Sequence, residues 1–110
     1  MDIESNSAVP TPFEWRPPDH LLSVVAEPDG QQIYIHGDRA GYELLARAIA
    51  RLLEHLENNN CEHDHLFRWD WPGDELTTTM LQQEREASCI QVGHVKLYAW
   101  TDEWRKKHGL

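Results

Sequence analysis

From Arg39 to about Glu57 the apolar positions recur every three or four residues. Leu45, Ile49, Leu52 and Leu56 form one stripe, widened by Tyr42, Leu44, Ala48 and Leu53. Arg39, Glu43, Arg47, Arg51 and Glu54 fall on the solvent side, the pattern of an amphipathic helix over 39–57. Asp38 stands where an N-cap belongs, although Gly41 at the third helical position rules out a reciprocal capping box. The asparagines at 58–60 end the helix.

On both sides of the helix the period changes to two. The stretches 20–27 and 31–37 are rich in β-branched residues, and "PDG" at 28–30 lies between them, which predicts a β-hairpin. Ile33 and Ile35 share one face of its second strand, expected to be the helix side, with Tyr34 and His36 on the other. A strand is expected over 61–71 and a turn at 72–74. The run of three threonines favours a strand over 75–81 rather than a helix. Residues 82–88 read as a polar loop and 89–100 as a final strand, with Gly93 marking a bulge. The predicted order is β-β-α-β-β-β: an α+β fold with a mostly antiparallel sheet and one long helix packed on one of its faces.

The 110 residues suit one domain, placed at 19–104. Four prolines within residues 1–18 predict an extended arm, pinned by Phe13 and Trp15, and 105–110 read as a basic tail after at most one helical turn. The N-terminal stretch has neither the basic start nor the apolar core of a signal peptide, and no apolar run approaches the ~20 residues of a membrane span. A cytoplasmic protein without membrane contact is expected, with Cys61 and Cys89 reduced. The formal net charge of −9 opposes binding to phosphate backbones, so no nucleic-acid partner is expected, whereas a basic protein would be attracted.

The densest chemistry lies in "CEHDHLFRWDW", residues 61–71. Alternation puts Cys61, His63, His65, Phe67, Trp69 and Trp71 on one side of a strand and Glu62, Asp64, Leu66, Arg68 and Asp70 on the other. His63 and His65 point the same way and resemble half of a metal site. Zinc needs further ligands, for which Cys61, His36, His94 and Asp64 are candidates that no familiar spacing brings together. Nucleophilic catalysis by either cysteine lacks a surrounding signature. The expectation is no cofactor and no metal. A different constellation carries more weight. Val95, Leu97 and Ala99 should face the helix, leaving His94, Lys96, Tyr98 and Trp100 on a sheet face that a single helix cannot cover. Exposed aromatics of this kind are frequent interface anchors.

The segments "IYIHGDRAGYELLARAIARLLEH", "HDHLF" and "DELTTTML" resemble bacterial immunity proteins of polymorphic toxin systems, specifically the group known as immunity protein 32, over about residues 31–100. The resemblance implies a non-catalytic protein that binds and neutralises a toxin encoded beside it. The expected contact residues are His63, Asp64, His65, Trp69, Tyr98 and Trp100. Competing readings are a small metal-binding protein or enzyme using His63 and His65, and a homodimeric structural domain.

Overall fold

The computed structural model describes residues 16–110 except Pro72. The expected arm therefore lies almost wholly outside the described residues, together with its anchors Phe13 and Trp15. The elements are β1 (Leu22–Ala26), β2 (Ile33–Gly37), α1 (Arg39–His55), β3 (Cys61–Phe67), α2 (Gln82–Glu86), β4 (Ile90–Gln91), β5 (His94–Trp100) and α3 (Asp102–Lys107). They form an α+β fold with antiparallel pairing in two sheets, a three-stranded one in the order β2-β1-β4 and a ribbon of β3 and β5.

The hairpin closes as its turn residues predict. Gly30 adopts φ 74°, a region that glycine enters without steric cost, and its N–H donates to the Glu27 carbonyl at 2.9 Å. Asp38 caps α1. Its carboxylate accepts from the Gly41 N–H at 2.7 Å and from the Leu21 N–H at 3.1 Å, tying the helix start to the chain entering β1. These two N–H groups hold the Asp38 carboxyl below the ordinary carboxylate range.

The inward face of α1 differs from the predicted stripe. Ala48 and Leu52 are buried, Leu44 and Leu45 pack partly against the core, and Ile49 is 44% exposed. The reason is steric. The helix approaches its neighbours most closely at its smallest residues: Ala48 is fully buried, and a Cβ on Gly41 would run into the Leu21 carbonyl. That contact rotates Ile49 and Leu53 to the flank and leaves Leu56 half-buried. The core joins Ala48 to Leu22, Val24, Leu66 and Leu76, with Val92, Val95 and Leu97 packed around them.

Ile33 and Ile35 also depart from expectation. Ile35 lies opposite Val24 in register and so shares the helix-side face, but β2 is an edge strand, and the two isoleucines are 61% and 47% exposed.

No strand forms over 75–81. The segment is extended and joins the two sheets instead. Leu76, fully buried, donates its N–H to the Phe67 carbonyl and accepts from Trp69 N–H, while Thr77 N–H donates to the Leu22 carbonyl at 2.7 Å. The polar stretch expected as a loop contains α2. The final strand is split at Val92 and Gly93. Val92 N–H donates to Val24 in the first sheet, and the Gly93 carbonyl accepts from Arg68 at the end of the second. Gly93 lies under the Trp71 indole, which would have to move aside for a Cβ there. No helix among the described residues is long and apolar enough to cross a membrane.

Candidate functional site

The β3–β5 register places Cys61 opposite Trp100, His63 opposite Tyr98, His65 opposite Lys96 and Phe67 opposite His94. Side-chain alternation puts all eight on one face of the ribbon. The other face carries Leu66, Val95 and Leu97 and lies against α1.

On the open face the rings form a nearly unbroken row. Phe67 stacks on His94 with centroids 4.3 Å apart, and His94 on His65 at 5.0 Å. His63 meets His65 edge-on at 5.0 Å and Tyr98 at 5.9 Å. Tyr98 continues to Trp100 at 6.3 Å, and Trp100 to Trp104 at 5.2 Å. Trp104 comes from α3, whose N-cap is Thr101: its hydroxyl oxygen accepts from the Trp104 N–H at 3.2 Å. Thr101 N–H in turn donates to the Asn60 carbonyl, which holds α3 beside the start of β3. Tyr98 is 55% and Trp100 41% exposed, far from the usual condition of large aromatics.

The face also carries charge chemistry. His65 Nδ1 and His94 Nε2 are 2.8 Å apart, so one ring donates and the other accepts, and at least one of the two is neutral. Burial, followed by the nearby Lys96, His63 and His94, lowers the His65 pKa; Asp64 acts in the opposite direction. Lys96 Nζ sits 4.9 Å from the centre of the Tyr98 ring.

Of the six residues expected to make contact, four lie together on this face: His63, His65, Tyr98 and Trp100. Asp64 does not. It points to the helix side, where Arg51 Nη2 approaches its carboxylate at 3.3 Å. Trp69 does not either, because β3 ends at Phe67. Leu76 takes over the pairing there, and the Trp69 indole N–H turns towards the Thr78 hydroxyl at 3.5 Å. Trp104 was missed in the sequence, although "TDEW" reads as an N-cap with two acidic residues in the first turn.

A second polar cluster lies on the far face of the first sheet. His36 Nε2 is 2.9 and 3.0 Å from the two carboxylate oxygens of Glu84, which is buried and also accepts from the Leu81 N–H. Burial alone would raise the Glu84 pKa; the Leu81 N–H and His36 outweigh it and bring it below the ordinary value. Tyr34 donates to Glu27 at 2.6 Å, which pushes its own pKa up to about 12. Cys89 lies in the same pocket, where burial and then Glu27, Glu84 and Asp29 push its thiol up, the opposite of what a nucleophile needs. No element of the sequence pattern pointed to Glu84, because its partner is 48 residues away. Among the described residues no three His, Cys, Asp or Glu side chains converge in a way that could hold a metal ion. Of the ligands considered for His63 and His65, Cys61 and His94 share their face, whereas Asp64 turns to Arg51 and His36 to Glu84. Comparison with protein-family models, curated proteins and solved structures finds no match to this chain.

Proposed function

We propose that this protein is a non-catalytic binding module of the immunity type, which neutralises a toxin by covering it with the open face of the β3–β5 ribbon. The observation that carries the reading is the row Phe67, His94, His65, His63, Tyr98, Trp100 and Trp104, displayed by a sheet whose other face is filled by α1. Rigid rings on a strand pair lose little conformational entropy on binding and combine apolar area with polar tips. The net charge of −9 favours encounter with a basic partner. The resemblance of residues 31–100 to immunity proteins supplies the class of partner.

The test is co-purification with, and protection of cells against, the toxin encoded beside this chain. Tyr98→Ala and Trp100→Ala should retain the wild-type fold by circular dichroism and weaken binding by at least about tenfold each. Asp64→Ala and Trp69→Ala, both off the face, should bind and protect as the wild type does. Full protection by the Tyr98→Ala/Trp100→Ala double variant would show that another surface makes the contact. A wild-type chain that neither binds nor protects would end the immunity reading.

A further inference from the structure

The apolar groups left exposed by the core are not scattered. β1 turns its even-numbered residues away from β2, since Leu22 and Val24 accept from Thr77 and Val92. Ser23 and Val25, facing His36 and Tyr34, therefore make the bonds to β2. This directs the N–H and carbonyl groups of Ile33, Ile35 and Gly37 outwards, along a strand that has no neighbour on that side among the described residues. The side chains of Ile33 and Ile35 stand on the same face as α1.

The two flanks of α1 differ. One carries Arg47 and Arg51 and borders the ribbon, where Arg51 meets Asp64. The other carries Tyr42 and Ile49 and borders β2, where the Tyr42 hydroxyl donates to the Ile35 carbonyl at 2.9 Å. Leu53, 59% exposed, continues that flank. Ile33, Ile35, Tyr42, Ile49 and Leu53 are each more than two-fifths exposed, an apolar flank suited to the centre of an interface of about 800 Å² per partner. Protected edges usually carry a lysine, a proline or a bulge, and the sequence of β2, IYIHG, has none of these.

We propose that this edge pairs with the same edge of a second copy of the chain. Antiparallel pairing about a twofold axis at Ile35 sets Ile35 against Ile35 and Ile33 against Gly37, and joins two three-stranded sheets into one of six strands. The axis brings both α1 helices to the same face, with their Tyr42 and Ile49 flanks towards each other. The Ile35 carbonyl has a second lone pair, so the bond from Tyr42 does not block it. The ribbon face stays free, giving one toxin-binding surface per subunit. The pairing itself does not depend on the toxin reading.

Sedimentation of the full chain from roughly 1 to 200 µM should show a dimer, strengthened by salt because two acidic subunits repel. Ile33→Arg and Ile35→Arg, at exposed positions, should each weaken it by at least about tenfold with an unchanged circular dichroism spectrum, and Tyr98→Arg should leave it intact. A wild type monomeric throughout the range overturns the proposal, as does a dimer insensitive to both β2 substitutions or lost only with Tyr98→Arg. Should the β2 variants not fold, hydrogen exchange of the wild type decides. Faster exchange at the Ile33, Ile35 and Gly37 amides on dilution supports the pairing. Protection independent of concentration overturns it.

Discussion

Glu84 illustrates how much a single side chain can hold in a small α+β protein. Its carboxylate ties α2 to β2 through His36 and closes its own helix through the Leu81 N–H. Replacing it with glutamine keeps the shape and removes the charge. Since the folded-state pKa lies below the unfolded value, the stabilisation is present above the ordinary carboxylate pKa and is lost as pH falls through the folded one. Glu84→Gln should therefore unfold at a lower temperature than wild type at pH 7, and the gap should close on acidification; thermal melts from pH 7 to 3 read this directly. His65 adds a second, milder dependence. Its lowered pKa means that the unfolded chain takes up a proton first, so stability should fall as pH drops through the ordinary imidazole value of about 6.5 and level off below the folded one. In His65→Phe that part of the slope should be absent.

At the scale of elements, α1 gives the sharpest contrast. Leu52 is 5% exposed and Ile49 44%. Leu52→Ala should cost about 2–5 kcal/mol in urea unfolding, whereas Ile49→Ala should cost less than about 1 kcal/mol in the monomer. Spacing alone placed both inside. A period of 3.6 defines an apolar arc but does not say which part of it meets the sheet; here the small residues Gly41 and Ala48 decide, a steric fact that appears only once the partner backbone is in place. The hairpin, the Asp38 cap and the alternation along β3 and β5 were legible because each is set by neighbours in sequence. The threonine run was not. Its residues have strand propensity, but Thr77 bonds to Leu22 and Ser23 to Thr79, so a long-range junction overrides the local preference. Glu84 and α2 escaped for the same reason. In the candidate site, alternation located the histidines, Tyr98 and Trp100 but carried Trp69 with them, since nothing local announces that Leu76 ends β3's pairing two residues earlier.

For the molecule as a whole, the net charge of −9 sets how it meets a partner. On the proposed reading, association with a basic toxin should slow as salt is raised while dissociation changes little, which stopped-flow mixing would resolve. The order in which the chain is made adds a further constraint. β1 is flanked on its inner side by Thr77, 55 positions later, and by Gln91, whose side chain reaches Val24 across 67 positions. At 5–20 residues per second a ribosome needs roughly 3–13 s to span the longer gap. Until then Val24 lacks its inner neighbour, and β1 is open to mispairing. The rings of β5 emerge later still. Were the chain the inhibitor proposed above, a cell making it together with its toxin would draw no protection from a half-made chain, and survival would depend on inhibitor finished in advance.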